Sequence, residues 1–194
     1  EKKYEKAVSL FNLEIERKLE INEEEKPYSF EFIFNKELVE DEYILHIDSE
    51  LTHVEASTER AFFYATRTLA QLLKLKNKKR VNKLTCPTYY IEDKPRFAHR
   101  SFMLDEVRHF FGVEEVKKYI CMLSDLKINY FHWHLSDDQG FRIDFATFPN
   151  LRQVASKRKK TKINSQDNDD WDNTPYEGCY AYHEDEKSAE KITR

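Results

Sequence analysis

The chain has 194 residues, of which 40% are hydrophobic and 14% aromatic, so it is long enough to bury one or two modest cores and is not a disordered tail. Charged residues make up 35% of the chain but nearly cancel to a net charge of −4, which gives no general reason to expect nucleic acid or an anionic membrane as a partner. No apolar stretch approaches the roughly 20 residues that cross a bilayer, so the sequence predicts no membrane span.

The first 93 residues predict an α+β domain in which helices cover one side of a small antiparallel sheet. The opening segment has apolar residues at near-helical spacing. A second helix is indicated in STERAFFYATRTLAQLLKLK, where an apolar stripe follows Ser57, which is placed to cap it. Short alternating runs and one later extended piece predict strands at Ser29–Asn35, Tyr43–Ile47, His53–Ala56 and Thr88–Ile91.

Residues 94–194 begin with a strand–helix–strand pattern that is typical of parallel α/β proteins. HRSFMLDEV places Phe102, Met103 and Leu104 in sequence without alternation, as expected of a strand buried on both faces of a sheet. An amphipathic helix in VEEVKKYICMLSDLK and a second strand in INYFHWHL complete a right-handed βαβ unit. Such units build doubly wound sheets and (β/α)8 barrels, and periodicity alone does not separate the two folds.

Farther along, the sequence predicts a short helix within Asn150–Lys162 and the start of another helix at Glu184–Arg194. The basic run Lys157–Lys160 is interpreted as a solvated surface. The three cysteines lie far apart without metal-ligand spacing, and their odd number means that they do not all pair within the chain. Disulfide pairing and redox compartment therefore stay open for Cys86, Cys121 and Cys179.

Polar side chains follow both predicted parallel strands. The first strand runs into Asp105, Glu106, Arg108 and His109, and the second runs through His132 and His134 into Ser136, Asp137 and Asp138. Because the carboxyl ends of parallel strands converge on one cavity, we expect these groups to line a ligand site. Guanidinium and carboxylate groups suit a ligand rich in hydroxyls. An apolar wall for a sugar ring is available from Phe110, Phe111, Trp133 and Phe141.

Two adjacent acidic pairs invite interpretation as catalytic pairs. Asp105 and Glu106 are consecutive, and consecutive strand residues point to opposite faces, so they do not act together on one bond while the strand continues. The same argument applies to Asp137 and Asp138, one of which is interpreted as bonding the backbone of a turn.

A histidine pair raises a metal-dependent alternative. His132 and His134 share one strand face, as do the ligands of metal-dependent amidohydrolase-type barrels. No further ligand set accompanies them, so the sequence predicts no metal, and a lone histidine is by default a satisfied structural residue.

The segment from Tyr90 to Leu151 resembles the start of the catalytic barrel in β-N-acetylhexosaminidases of glycoside hydrolase family 20. The resemblance rests on a Pro-Arg-Phe lead-in, a Leu-Asp-x-x-Arg-His-Phe first strand and a His-x-His-Leu-x-Asp-Asp-Gln-Gly second strand, in that order. Upstream, DEYILHI and ERAFFYATRTLAQLL are similar to the accessory α+β domain of this family. The resemblance therefore implies an accessory domain over 1–93 and the first part of a (β/α)8 barrel over 94–194.

The resemblance also implies roles for individual residues. Arg108 falls on the arginine that binds hydroxyls of the terminal N-acetylhexosamine, Asp137 on an aspartate of the same subsite, and His134 on a histidine of the supporting polar network. Supporting positions behind them are expected for Asp105, His132 and Asp138. The substrate implied is a terminal GlcNAc or GalNAc of glycans or chitin oligomers, with no cofactor, and the location implied is lysosomal or secreted, with a homodimer left open.

Enzymes of this family use substrate assistance: the 2-acetamido oxygen attacks the anomeric carbon, an aspartate orients the acetamide, and a glutamate protonates the leaving oxygen. That Asp-Glu pair belongs to a His-x-Gly-Gly-Asp-Glu motif, which nothing in this chain matches. We therefore expect no catalytic residue in this chain.

The length of the chain supports the same expectation. A (β/α)8 barrel needs about 250 residues, and the chain has fewer than half that number from His99 onward. Either the polypeptide continues or a second chain completes the barrel, and the isolated chain is expected to be inactive. Ser101, Gly112 and Phe141 depart from glycine, proline and tryptophan in the family pattern. These departures keep open a non-catalytic sugar-binding or structural relative.

Overall fold

The computed structural model describes residues 5–18, 29–73, 75, 81 and 86–159, and assigns further short strands at 161–162, 171–172 and 182–183. The chain divides into two compact units, Glu1–Ala98 and His99–Arg194. The domain boundaries at 1–93 and 94–194 stay predictions. Within the described ranges, no helix combines the length and the apolar composition that a membrane span requires.

Cysteine pairing is settled for two of the three thiols. Cys86 and Cys121 are free, the first partly buried and the second exposed. Cys179 lies outside the described residues, and so does the helix predicted at Glu184–Arg194.

In its described residues, the first unit has two helices and four strands: α1 (Glu5–Lys18), β1 (Ser29–Phe34), β2 (Tyr43–Ile47), β3 (Leu51–Ala56), α2 (Glu59–Leu72) and β4 (Tyr89–Asp93). The strand order in its sheet is β1-β3-β2-β4. Alternate strand residues pack against the helices, and Phe11 of α1, Phe62 of α2, Leu45 of β2 and Val54 of β3 have no exposed area. The predicted helices and strands of this unit are confirmed.

The sheet is mixed, so the prediction of an antiparallel sheet is wrong for one strand pair. β2 is antiparallel to β3 and β4, but β1 is parallel to β3. A tight turn, in which Asp48 Oδ1 accepts the backbone N–H groups of Glu50 and Leu51 at 2.8 Å each, folds β3 back beside β2. β1 then pairs with the other edge of β3. Alternation identifies strands, but it does not encode which strand lies between which neighbours.

The N-cap of α2 is Thr58 and not the predicted Ser57. Thr58 Oγ1 accepts the Ala61 N–H at 3.0 Å and donates to Asp41 Oδ1 at 2.8 Å, so one hydroxyl caps the helix and anchors it to the loop before β2. The Ser57 hydroxyl donates instead to the Val39 carbonyl at 2.6 Å. Two adjacent hydroxyl residues both suit the cap position. The contacts with the loop before β2 distinguish them, because Thr58 bonds Asp41 and Ser57 bonds the Val39 carbonyl.

The second unit begins with β5 (Ser101–Asp105), α3 (Val113–Asp125) and β6 (Tyr130–His134). β5 and β6 are parallel neighbours, which confirms the predicted strand–helix–strand pattern. Phe102, Tyr119 and Trp133 pack around the buried Leu104 and Val116 between this sheet and α3. The chain continues through β7 (Ser136–Asp137), β8 (Gly140–Phe141), β9 (Ile143–Asp144) and α4 (Pro149–Ala155).

The prediction that β5 is buried on both faces is wrong for Met103. Leu104 is 5% exposed, whereas Met103 is 52% exposed. Neighbouring strand residues point to opposite faces. In the described residues, the β5–β6 sheet is therefore covered by α3 on one face and open on the Met103 face.

We expect Thr58→Ala to lower the free energy of unfolding by about 1 kcal/mol, because the Ala61 N–H loses its acceptor and Asp41 loses a donor. Thr58→Ser keeps the hydroxyl and is the matched control, with a loss below about 0.5 kcal/mol. Urea unfolding monitored by circular dichroism measures both. Equal stability of the alanine and serine variants would show that Thr58 does not cap α2.

Candidate functional site

The parallel register of β5 and β6 brings their carboxyl ends together. Asp105, the last residue of β5, pairs with His134, the last residue of β6. One residue farther on, the Glu106 N–H donates to the His134 carbonyl at 3.1 Å. Residues 105–111, which begin with the last residue of β5, are called here the strand-end loop. β6 leads into the β7–β8 hairpin, in which Asp137 pairs with Gly140. The loop and the hairpin therefore start from the same sheet edge.

Arg108 joins these two segments through its guanidinium. Nη2 lies 2.8 Å from Asp137 Oδ2, Nη1 donates to Asp105 Oδ2 at 3.0 Å, and Nε donates to Gln139 Oε1 at 2.9 Å. His134 completes the group, which we call the strand-end cluster. Its members stay reachable from solvent, with side-chain exposures of 43% for Arg108, 31% for each aspartate and 24% for His134. A ligand is therefore able to reach an arginine whose direction is already fixed.

His134 Nε2 lies between two partners, 2.9 Å from Asp137 Oδ2 and 3.1 Å from Arg108 Nη1. A single ring nitrogen does not donate to one and accept from the other at once. An ionised carboxylate only accepts hydrogen bonds, so the contact with Asp137 is a hydrogen bond when Nε2 carries the ring proton. The histidine thereby supports the aspartate that faces the arginine.

Asp137 is held as a carboxylate. Its pKa is lowered from the ordinary 3.8 to about 2, first by the Asp138 backbone N–H, which donates to Oδ1 at 2.8 Å, then by the His134 hydrogen bond, with a smaller effect from the charge of Arg108. An ionised carboxylate only accepts hydrogen bonds. Asp137 is therefore suited to accept from ligand hydroxyls and not to donate a proton.

The structure brings together four residues predicted for the site: Asp105, Arg108, His134 and Asp137. Their roles toward a sugar stay predictions. Asp138 contributes its backbone N–H to Asp137, the turn interaction predicted for one of the two adjacent aspartates.

The structure places His132 differently from His134. His132 is exposed, and its ring lies 5.8 Å from that of His134, centroid to centroid. In the part of the chain that the structure describes, no three histidine, cysteine or acidic side chains are grouped to hold a metal ion.

The predicted aromatic wall is only partly available. Phe110 and Trp133 pack against the core formed with α3, whereas Phe111 is 37% exposed and Phe141 contacts Phe145 at a centroid distance of 6.1 Å. Aromatic residues that line a ligand site and those that pack in the core look alike in a sequence. The direction in which each side chain points distinguishes them.

Three residues around the site carry contacts that the sequence argument did not assign. Gln139 orients Arg108, and its place in the His-x-His-Leu-x-Asp-Asp-Gln-Gly motif was the available signal. Arg142 is fully buried and donates to three backbone carbonyls. Arg158 also bonds backbone carbonyls and is partly buried, so the prediction that Lys157–Lys160 is a solvated surface is wrong at Arg158. Carbonyl partners have no residue-type pattern and give no signal in a sequence.

A partly exposed arginine held by carboxylates at the carboxyl ends of parallel strands is an arrangement suited to hydroxyl-rich ligands. Residues 97–188 match the family model for the catalytic domain of glycosyl hydrolase family 20, and residues 1–94 match the model for domain 2 of the same family. The chain belongs to glycoside hydrolase family 20.

Relatives and solved structures agree with this membership. The chain is 36% identical over 146 residues to a beta-hexosaminidase of Porphyromonas gingivalis, an alignment covering 74% of this chain and 18% of the relative. It is 40% identical over 124 residues to a beta-hexosaminidase of Vibrio furnissii, covering 64% of this chain and 20% of the relative. The chain thus spans about a fifth of these relatives.

Among solved structures, the family 20 exo-β-N-acetylglucosaminidase of Vibrio harveyi, in complex with N-acetylglucosamine, matches with a TM-score of 0.71 and 29% identity, covering 100% of this chain and 30% of that chain. The predicted fold class, an α+β unit followed by part of a (β/α)8 barrel, is confirmed.

We expect the pKa of Asp137 to rise toward its ordinary value in His134→Ala, because the His134 hydrogen bond favours the ionised carboxylate. Carboxyl carbon-13 NMR titration measures it, with Asp137→Asn assigning the signal. Asp48, whose pKa is lowered by the N–H groups of Glu50 and Leu51, is the internal control and should not respond.

The sign of the pH dependence follows from the lowered pKa. Ionised Asp137 contributes to stability above the ordinary pKa, and this contribution is lost as the pH falls from about 4 to about 2. An unchanged pKa of Asp137 in His134→Ala would contradict the support that His134 gives to the carboxylate.

Proposed function

We propose that the complete protein is an exo-β-N-acetylhexosaminidase, which releases terminal GlcNAc or GalNAc from glycans or chitin oligomers. The observation that carries the proposal is the fixed direction of Arg108 among Asp105, Asp137 and Gln139, at the strand ends of a family 20 chain. The complex of the Vibrio harveyi relative with N-acetylglucosamine supports the ligand class. In this proposal the chain supplies part of the sugar subsite.

The chemistry of the cluster fits a pyranose with adjacent hydroxyls. A guanidinium carries five hydrogens, and the contacts to Asp105, Asp137 and Gln139 orient it with three of them. Hydrogens that remain are available to hydroxyl oxygens, while the Asp137 carboxylate accepts hydroxyl hydrogens. Charge-assisted hydrogen bonds of this type are about twice as strong as neutral ones. Arg108 and Asp137 together therefore hold both a donor and an acceptor toward the sugar.

The reaction we propose is retaining and substrate-assisted. The 2-acetamido oxygen attacks the anomeric carbon as the glycosidic bond breaks and the leaving oxygen takes a proton from a glutamic acid; water then opens the cyclic intermediate with retention. The proton-donating glutamate and the aspartate that orients the acetamide are assigned to the remainder of the barrel, supplied by the same polypeptide or by a second chain. Arg108, Asp137 and His134 bind and orient the sugar in this scheme.

Family membership also supports a lysosomal or secreted location and leaves a homodimer as part of the proposal. A non-catalytic sugar-binding relative remains the second candidate, because Ser101, Gly112 and Phe141 depart from the family pattern. It predicts binding of N-acetylglucosamine without turnover. The metal-dependent alternative predicts loss of activity on chelation, which the proposed reaction does not.

In the complete protein, we expect Arg108→Ala to lower kcat/KM for a chromogenic N-acetylglucosaminide by at least ~100-fold, since charge-assisted contacts to the sugar are lost in the transition state. Arg96→Ala is the matched control, because Arg96 is exposed and stacks only on Phe97 among the contacts seen here. Near-normal turnover by Arg108→Ala would refute the placement of Arg108. Binding without turnover by the parent protein would favour the non-catalytic relative.

The isolated 194-residue chain is expected to hydrolyse nothing, because it supplies the sugar contacts without a proton donor for the leaving oxygen. It is also expected to be poorly soluble, since the open face of β5 exposes Met103. Activity assays and size-exclusion chromatography of the isolated chain test both points. An active, monodisperse chain would show that no other segment is needed.

A further inference from the structure

We propose that Arg142 and Arg158 are positioning residues, which hold the strand-end loop from behind and thereby direct the Arg108 guanidinium toward the sugar. This inference rests on the proposed function, because it assigns how the proposed sugar-binding arginine is oriented. Neither arginine belongs to the strand-end cluster itself. Both act on the backbone that carries Arg108.

Arg142 is a buried cation that donates hydrogen bonds to three backbone carbonyls. Its side chain has no exposed area, Nε donates to the Glu106 carbonyl at 3.0 Å, and Nη2 donates to the Val107 carbonyl at 2.7 Å. Nη1 donates to the Ser156 carbonyl at 2.7 Å, one residue beyond α4. Arginine stays protonated in proteins, so burial is tolerated only where such acceptors surround it. The guanidinium therefore holds two carbonyls of the strand-end loop in place.

Holding these carbonyls fixes the backbone in front of Arg108. A peptide unit is planar, so fixing the carbonyls of Glu106 and Val107 also fixes the N–H groups of Val107 and Arg108. Those N–H groups donate to Asp105 Oδ1 at 2.9 Å and 3.2 Å. The other oxygen of Asp105 accepts from Arg108 Nη1. Arg142 therefore stabilises the same turn whose aspartate orients the guanidinium.

Arg158 extends this support to the next peptide unit. Nη1 donates to the Val107 carbonyl at 3.0 Å, and Nη2 donates to the carbonyl of Arg108 itself. The carbonyls of residues 106, 107 and 108 are consequently all held by guanidinium groups. Arg158 is partly exposed, so it can be replaced without opening a buried charge site.

Arg142 also supports the hairpin that carries Asp137. Its backbone N–H donates to the Leu135 carbonyl at 2.8 Å. A Cβ added to Gly140 would lie 3.3 Å from Arg142 Nη2 and 3.4 Å from Cζ, so the hairpin backbone rests against the guanidinium. Gly140 pairs directly with Asp137. One buried side chain thus contacts both segments whose tips form the sugar-facing ion pair.

A double-mutant cycle in the complete protein tests the inference. We expect Arg158→Ala to lower kcat/KM for the chromogenic N-acetylglucosaminide by ~10-fold when Arg108 is present, but by less than ~2-fold in an Arg108→Ala background. Arg158→Lys retains a charge but not the two-carbonyl fork, and we expect it to rescue only partly. The matched control is Arg152→Ala, which removes an arginine of α4 whose Nη1 bonds Asp144 at 3.0 Å.

A second readout is the dissociation constant for N-acetylglucosamine, which should weaken with Arg158→Ala only when Arg108 is present. Gly140→Ala probes Arg142 with less risk to folding than its direct replacement, and thermal unfolding verifies that each variant is folded. Equal fold losses in both Arg108 backgrounds would overturn the positioning role while leaving the proposed function in place. A folded parent that neither cleaves nor binds the sugar would overturn both.

Discussion

The pairing of Asp105 with His134 across parallel strands decides which side chains meet beyond the ends of β5 and β6. In a parallel pair both chains leave the sheet at the same edge, so a loop and a hairpin of only a few residues place Arg108 and Asp137 within 2.8 Å of each other. Side chains alternate in direction along a strand, so a shift of one residue in this register would turn His134 away from Asp137. The strand register therefore determines which loop residues are able to meet at the site.

Two of the arginine–carboxylate contacts in the described residues, one in each unit, differ in burial. In the first unit, Arg67 Nη1 lies 2.8 Å from Glu14 Oε1 between α2 and α1, and both side chains are nearly inaccessible, as expected of a contact that joins helices. The strand-end cluster is partly exposed, and exposed ion pairs contribute little to stability. In the proposed function, the short contacts of this cluster orient Arg108 toward the ligand. The arginine behind the cluster, Arg142, is fully buried and contacts the backbone of the strand-end loop.

Periodicity and motif spacing predicted much of this structure, and the failures have a common cause. The helices, the strands and the residues grouped around Arg108 follow from patterns of residue type along the chain. The parallel placement of β1 beside β3, the choice of Thr58 over Ser57 as the cap of α2, and the exposure of Met103 depend on which segment packs where, which those patterns do not encode. The role of Arg142 was not predicted for the same reason, since its partners are backbone carbonyl oxygens, which every residue possesses.

The protonation chemistry of the described carboxyl groups limits what this part of the protein contributes to hydrolysis. Asp137, with a pKa of about 2, is ionised at any pH where a glycosidase works and has no proton to give. Asp105 accepts from two backbone N–H groups and from Arg108, so both of its oxygens are engaged as acceptors. Glu106 is fully buried, and its Oε2 accepts the Phe111 N–H at 2.8 Å within the loop. Cleavage requires an acid beside the leaving oxygen, whereas Asp105 and Asp137 contact the Arg108 guanidinium and Glu106 accepts a backbone N–H of the loop. These contacts agree with the proposed reaction, in which the proton donor is assigned to another segment.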